Sequence, residues 1–410
     1  MASPGPDDDP FGASGDPFKG VPFFGDLARM FQQQQHGPVS WDAARQLAAS
    51  IATEGQSEPN VDPMARMQLE QLARVAELHV AQATGLPVSQ GGAGIAIVPV
   101  TRTQWTERSL GALRELFEAL AGSLSSGMRV TPDTASDPDD AADPMAAMLG
   151  GLMQMLSPMM LGMTAGSMLG HLARRSFGQY DLPIPRPQSD ELMVVVPNLD
   201  EFGHEWSLPA DDLRLWVCVH EVAHHAVLSQ PHVRERLDGL LRRYVASFEP
   251  DPSTLEDRLS GIELADPNGM AGLQEALGDP EVLLGAISSP AQRDLLPQLE
   301  ALVAAIVGYV DHVMDSVGDG LIGSYGMLSE ALRRRRVTAD PSDRFVERLL
   351  GLELTQAAYD RGSAFIAGIV ERAGTDGLER LWHSERELPT PAEVDAPGLW
   401  LARIDIPDPE

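Results

Sequence analysis

The residues of this chain best suited to chemistry lie in one short stretch, Leu213–Gln230. It contains His220, Glu221 and His224 in the pattern His-Glu-x-x-His. Two histidines four residues apart project from one face of a helix, so their imidazoles can share one zinc ion. The glutamate beside the first histidine can act as general base on a metal-bound water. The pattern therefore predicts a zinc-dependent hydrolase acting on a peptide or small amide.

The residues around this motif indicate a buried helix. The flanking side chains are apolar, and Asp211 and Asp212 occupy the expected first turn, where acidic residues favour a helix start. Charged groups buried in such a helix need a partner, and a metal ion is one. The alternative is a core helix whose histidines are satisfied by hydrogen bonds. His225 points about 100° away from His224, which favours a position at the surface or behind a ligand.

Composition narrows the class of protein. The 410 residues include 60 acidic and 30 basic side chains, a formal charge of −30, which disfavours nucleic acid and anionic membranes as partners. Cys218 is the single cysteine, so any metal site must use histidines and carboxylates. The N-terminal residues lack the pattern of a secretory signal, which predicts a cytoplasmic protein. The sequence makes no prediction of oligomeric state.

The elements that position the motif are predicted to be mostly helices with a little β-structure. Residues 1–40 indicate a disordered tail rich in Gly, Pro, Asp and Gln, and residues 41–410 a single helical domain with a flexible acidic insertion at 131–144. Gly94–Val100 and Met193–Val196 are the strand candidates. Asp62-Pro63 is expected to begin a helix that runs to about Ala83. Its inward side chains are expected to be Met64, Met67, Leu72, Val75 and Leu78.

The stretch Met145–Ala173 has no charged side chain other than His171. Gly162, Gly166 and Gly170 recur there at four-residue spacing, as in packed membrane helices. Pro158 divides the stretch into halves that are each short for a membrane span. A buried helical hairpin broken at Ser157-Pro158 is the favoured interpretation, and membrane association is the weaker alternative.

Several segments beyond the zinc motif give the chain a family resemblance. It resembles the zincin-like metallopeptidases of the type-2 group, which are common in actinobacteria and some of which carry a label linking them to deazaflavin-cofactor biosynthesis. The resemblance implies a mainly α zincin-like fold with a little β, a cytoplasmic location and zinc peptidase activity. It runs from about Trp41 to the C-terminus and is carried by Gly94–Trp105, Phe177–Asp181, the helix with His220 and His224, Gly308–Asp315, Leu388–Pro391 and Pro397–Arg403.

One position departs from this family pattern. The resemblance implies a third zinc ligand, a glutamate, where this chain has Val307, and an aspartate four residues later, where it has Asp311. Valine cannot bind zinc, so Asp311 is the first candidate for the third ligand. The alternatives are His312, a weakly held metal, or another carboxylate such as Asp315 or Glu300. Val307 also allows a second hypothesis, a catalytically impaired protein that keeps the zincin fold for binding or as a scaffold.

Other polar features have weaker functional interpretations. The arginine run Arg333–Arg336 is expected to be a solvated helix end, with an anion or peptide-terminus contact as the alternative. Tyr309 and Tyr325 could donate a hydrogen bond opposite the glutamate, although packing is the expected role of each. His204 lies shortly before the motif and is a weak further candidate.

Overall fold

A computed structural model describes residues 37–92, 94–127, 144–248, 289–337 and 346–406. In chain order the elements are α1 (Trp41–Thr53), α2 (Pro63–Thr84), β1 (Ala96–Val100), α3 (Arg102–Ala112), α4 (Arg114–Gly127), α5 (Pro144–Arg175), β2 (Glu191–Val195), α6 (Val196–Glu205), α7 (Ala210–Leu228), α8 (Pro231–Ala246), α9 (Pro290–Leu321), α10 (Tyr325–Val337), α11 (Gln356–Glu379), α12 (Pro391–Val394) and α13 (Pro397–Ile404). Two 3₁₀ turns, Arg380–Trp382 and Glu385–Glu387, follow α11. The prediction of a mainly α fold with a little β is confirmed.

The motif helix α7 lies at the centre of the helical body. Helices α2, α8 and α9 pack against it. From Leu215 to Leu228 every residue except His220 is buried. Apolar side chains surround α7 on most sides, so it has little freedom to tilt or shift, and the motif residues sit on a rigid support.

The two strands form a small parallel sheet that holds a loop against α7. Ala96 of β1 pairs with Glu191 of β2, and the register runs to Val100 opposite Val195. Both strand candidates are thereby confirmed. Phe177 accepts a hydrogen bond from the backbone N–H of Val195 at 2.8 Å, and Gly178 forms an antiparallel bridge with Val194. These contacts place the loop that follows α5 beside the motif.

Helix α2 begins where the sequence predicts, but it buries the other face. The Asp62 carboxylate caps the helix by accepting the N–H of Met64. The face packed on α7 consists of small side chains and one leucine, which let the two helices approach closely. Because both faces carry apolar residues, hydrophobicity alone did not distinguish them. The buried residues are Ala65, Leu69, Ala73, Ala76 and Val80, whereas Met64, Met67, Val75 and Leu78 are exposed and Leu72 is half-buried.

Helix α5 is continuous through Pro158, so the predicted hairpin is wrong. The glycine row packs on α1: a Cβ at Gly162 would lie 2.3 Å from the Ser40 carbonyl oxygen, and one at Gly166 would lie 2.5 Å from that of Ala44. The four-residue glycine spacing therefore indicates close contact between α5 and α1 within the protein. A helical hairpin is not needed to bury this glycine row.

Several predictions are only partly addressed by the described residues. The proposed tail lies outside them up to residue 36, as does the acidic insertion from 131 to 143, and α1 begins at Trp41, where order was expected.

Within the described part of the chain, α9 is the one helix long and apolar enough to cross a membrane, and 78% of its apolar window is buried inside the protein. Such burial is typical of a core helix.

Candidate active site

Helix α7 brings His220 and His224 together, as the motif predicts. Their ring centroids are 4.4 Å apart, and Trp216, one turn earlier, stacks on His220 at 4.9 Å. Both histidines line a cavity of about 260 Å³ between α7, α9, α10 and the loop after α5. The two imidazoles therefore face a common space.

The hydrogen bonds of His224 determine its tautomer. Its Nδ1 lies 3.1 Å from the carbonyl oxygen of His220, and because a carbonyl only accepts, Nδ1 carries the proton. Burial, and secondarily the neighbouring His220, lower the pKa of His224 well below its ordinary value, so the ring is neutral. Its Nε2 then has a free lone pair, which is the form that a metal or a hydrogen-bond donor requires.

Glu221 is turned away from this cavity. Its carboxylate is buried, and one oxygen accepts the backbone N–H groups of Gln179 at 2.8 Å and Tyr180 at 2.9 Å. Gly178 makes room for it, since a Cβ there would lie 2.3 Å from the carboxyl carbon. Burial raises the pKa of Glu221, against a lowering effect of His220, whose Nδ1 lies 3.2 Å from the other oxygen. In this arrangement Glu221 fastens the loop to α7.

The position expected for a third metal ligand is apolar. Val307 lines the cavity together with His220 and His224, and it is 2% exposed. Asp311, one turn later on α9, is bound by both terminal nitrogens of Arg336 at 2.9 and 3.0 Å and does not line the cavity. The other carboxylates considered, Asp315 and Glu300, also lie outside the cavity lining, as does His312.

These positions do not fit a zinc centre of the usual kind. Structural and catalytic zinc sites use at least three protein ligands. Within the described residues no group of three His, Cys, Asp or Glu side chains could hold a metal ion. His220 and His224 supply two nitrogen donors, and the side chain facing them from α9 is a valine. The residues as arranged are therefore one ligand short.

His225 is buried and belongs to a polar chain behind the cavity. Its Nδ1 lies 3.2 Å from the hydroxyl of Tyr180, and its Nε2 lies 3.7 Å from the carboxylate of Asp190. The surface position is excluded, and the alternative of a position behind the cavity agrees with the structure. Tyr180 itself lines the cavity, so His225 supports one of its walls.

Part of the arginine run also lines the cavity. Arg333 and Arg334 pair with Glu330 on the exposed side of α10, as expected of a solvated helix end. Arg335 instead lies 3.7 Å from the Phe177 ring centroid, and Arg336 lies 3.9 Å from that of Tyr359. Contacts with these aromatic rings and with nearby carboxylates offset the solvation that the two guanidinium groups lose on burial.

The sequence analysis did not identify two acidic groups of the cavity. Glu347 lines the cavity and pairs with Arg175 at 2.8 Å, and Asp181 lies on the opposite loop. Asp181 is in the Phe177–Asp181 segment, whereas Glu347 has no pattern that distinguishes it from other glutamates.

The weaker candidates from the sequence, Tyr309, Tyr325 and His204, lie elsewhere. Tyr309 packs edge-on against Trp382, the hydroxyl of Tyr325 donates to Asp315 at 2.7 Å, and His204 is exposed on α6. None of these three residues lines the cavity.

Comparison with known proteins places most of the chain in one family. The profile of the zincin-like metallopeptidases matches residues 39–401. The chain belongs to the zincin-like metallopeptidase family. The family name implies a hydrolase that uses a metal, typically zinc, and the observed helical fold is consistent with it.

One solved structure is similar to this family member over most of its length. The chain is similar to a Chloroflexus aurantiacus protein whose crystal structure has a novel fold and whose assignment as a hydrolase is provisional. The two share 25% identity with a TM-score of 0.59, over 90% of this chain and 100% of that one. Comparison with curated proteins finds no match.

Proposed function

We propose that this member of the zincin-like family uses its fold as a binding module and lacks the hydrolytic zinc centre that the family name implies. The observation that carries the proposal is Val307, an apolar side chain buried at the place where the two histidines would require a third ligand. Two further contacts agree with it. Asp311 is held by Arg336, and Glu221 is held by the loop after α5.

The cavity has the chemistry of a small ligand-binding site. Aromatic and apolar side chains, such as Trp216 and Leu332, share its lining with charged ones, such as Arg336 and Glu347, and with the lone pair of His224. A volume of about 260 Å³ is slightly below that of clefts for drug-sized ligands. The site therefore suits one end or one side chain of a peptide, or a small amide.

A zinc-dependent hydrolase is the second candidate, and one observation favours it. The neutral ring of His224 has the free lone pair that a metal needs, and His220 lies beside it on the same cavity wall. In this candidate His220, His224 and Asp311 hold zinc and Glu221 is the general base. It requires Asp311 to leave Arg336, and the Glu221 carboxylate to leave the backbone N–H groups of Gln179 and Tyr180.

Zinc content and hydrolysis distinguish the two candidates. Purified protein is equilibrated with zinc, freed of excess metal and analysed for zinc per chain, and then tested on a library of peptides and amides beside Glu221→Gln. We expect well under one zinc per chain and no hydrolysis that depends on Glu221. One zinc per chain together with hydrolysis that Glu221→Gln abolishes would replace the proposal with the second candidate.

Binding is measured separately. The same library is screened by affinity selection in the presence of a chelator, with Leu332→Trp as the variant that fills the cavity. We expect ligands that are retained without metal and lost in Leu332→Trp. Absence of any such ligand would contradict a binding role for the cavity.

The setting in which this module works is proposed from sequence alone. The formal charge of −30 argues against nucleic acid and anionic membranes as partners. A cytoplasmic location rests on the family resemblance and stays a prediction. An actinobacterial origin and a link to deazaflavin-cofactor biosynthesis rest on the resemblance and stay predictions.

A further inference from the structure

The two histidines of the cavity present hydrogen-bond acceptors to it. Nδ1 of His224 donates to the His220 carbonyl on the helix side of the ring, so Nε2 with its lone pair lies on the cavity side. Nδ1 of His220 lies 3.2 Å from the carboxylate of Glu221, which is outside the cavity lining. The two backbone N–H groups that this carboxylate accepts favour its ionised form, which can only accept. The neutral ring of His220 therefore also has its proton on Nδ1 and a lone pair on Nε2.

One NH₂ group of a ligand can satisfy both acceptors. The ring centroids of His220 and His224 are 4.4 Å apart, and an NH₂ group that donates two bonds of about 2.9 Å reaches acceptors about 5 Å apart. Among the described residues neither Nε2 atom has a hydrogen-bond partner. An acceptor that loses water on ligand binding without gaining a donor costs free energy, so the pair of acceptors selects a ligand with two N–H groups.

The charges of the cavity wall favour a neutral ligand. Each charged side chain of the lining has a partner of opposite charge. The pairs are Arg175 with Glu347 at 2.8 Å, Arg335 with Asp181 at 3.7 Å and Arg336 with Asp311 at 2.9 Å. A ligand with a net charge would lose its hydration in the cavity and would have to compete with one of these pairs for its counter-charge.

Arg336 places a donor near the two acceptors. Burial, and in addition His220 and Arg336, lower the pKa of His224, so the guanidinium acts on this ring and disfavours a cation at its lone pair. Asp311 accepts two of the five N–H groups of Arg336 from outside the cavity lining. The side of Arg336 that lines the cavity can therefore donate to a carbonyl oxygen. A primary carboxamide combines two N–H groups and a carbonyl oxygen in one neutral group.

We propose that the cavity binds a primary carboxamide, with its NH₂ group between the Nε2 atoms of His220 and His224 and its carbonyl oxygen at Arg336. Such a group ends the side chains of asparagine and glutamine. Trp216 and Leu332 supply apolar surface for the rest of the ligand. This inference rests on the proposed function, in which the cavity is a binding site that works without metal.

Three ligands of nearly one shape test the inference on the unchanged protein. Benzamide is a neutral primary carboxamide, benzamidine is its cationic counterpart and benzoate is its anionic one. Binding to the full chain is measured by ligand-observed NMR titration in the presence of a chelator, which removes metal as a cause. We expect benzamide to bind at least about tenfold more tightly than benzamidine or benzoate, because each charged ligand lacks one of the complementary groups.

Variants of one histidine locate the carboxamide. His224→Phe keeps a ring and removes the acceptor, so we expect benzamide to bind at least about tenfold more weakly. His224→Gln keeps an acceptor oxygen near the position of Nε2 and should retain more of the affinity. His204→Phe is the matched control, because His204 is exposed on α6, and it should leave benzamide binding unchanged.

The outcomes separate this inference from the proposed function. Equal binding of the three ligands, or tighter binding of a charged one, would overturn the carboxamide and leave the cavity a binding site. The same conclusion follows if none of the three binds while the library yields ligands that Leu332→Trp loses. Equal weakening of benzamide in His204→Phe and His224→Phe would also overturn it. If the library yields no ligand either, the proposed function fails as well.

Discussion

Replacing Val307 with glutamate tests whether the cavity lacks only a third metal ligand. Val307 shares the cavity wall with His220 and His224, so Val307→Glu adds a carboxylate next to two nitrogen donors. A third ligand of this kind completes the set that zinc usually requires. We expect Val307→Glu to bind one zinc per chain, where the unchanged protein binds much less.

The magnitude follows from burial. Val307 is 2% exposed, and an unpaired carboxylate at such a place costs about 3 kcal/mol or more in the free energy of unfolding. Zinc at about 100 times its dissociation constant returns about 2.7 kcal/mol, which corresponds to about 3–4 °C in melting temperature for a chain of this length. The variant should therefore melt below the unchanged protein without metal, and zinc should recover most of the difference.

The assay is thermal denaturation with and without zinc, combined with elemental analysis. Val307→Gln is the matched control, since glutamine has nearly the same size as glutamate and adds no anionic ligand. It should be destabilised, and zinc should raise its melting temperature much less than that of Val307→Glu.

Two results would refute this reasoning. If Val307→Glu and Val307→Gln respond equally to zinc, position 307 does not face the site that the two histidines define. If the unchanged protein already binds one zinc per chain, its third ligand is another residue, and Asp311 becomes the first to replace.

Two further predictions concern stability. Gly166→Ala should lower the free energy of unfolding by about 1–3 kcal/mol, because its Cβ would lie 2.5 Å from the Ala44 carbonyl oxygen; denaturant titration measures this, and Gly122→Ala, which meets nothing within 4 Å, should be neutral or stabilise by up to about 1 kcal/mol. An equal loss in both would contradict this reasoning, because only the first of the two positions has a close neighbour. Burial raises the pKa of Glu393, but its bonds with Arg403 outweigh this and hold the pKa below its ordinary value. At a pH above that ordinary pKa the charged carboxylate therefore stabilises the protein, and this stabilisation is lost as the pH falls. Glu393→Gln should cost about 1–2 kcal/mol at neutral pH and much less below about pH 4, and a pH-independent loss would contradict the linkage.

Local patterns predicted the helices and strands well because their signals lie within a few neighbouring residues. The Asp62 cap, both short strands and the motif helix follow from caps, β-branched runs and apolar periodicity. Pairing of His220 with His224 is equally local, since one helical turn separates them.

Predictions failed where contact with another helix decided between two arrangements of one segment. Both faces of α2 are apolar, and only the close approach of α7 selects the alanine face for burial. Pro158 marks a break in sequence terms, yet packing of the glycine row on α1 favours one continuous helix. Composition within a segment does not record which neighbour it will contact.

The sequence by itself determined the helix that carries His220, Glu221 and His224, and the valine at position 307. Only the tertiary structure decided what these residues contact. In the folded protein the Glu221 carboxylate accepts the backbone N–H groups of Gln179 and Tyr180. Asp311 forms an ion pair with Arg336. The physical reason is that a buried carboxylate takes the donors that the fold brings to it, and those donors come from segments far away in the chain.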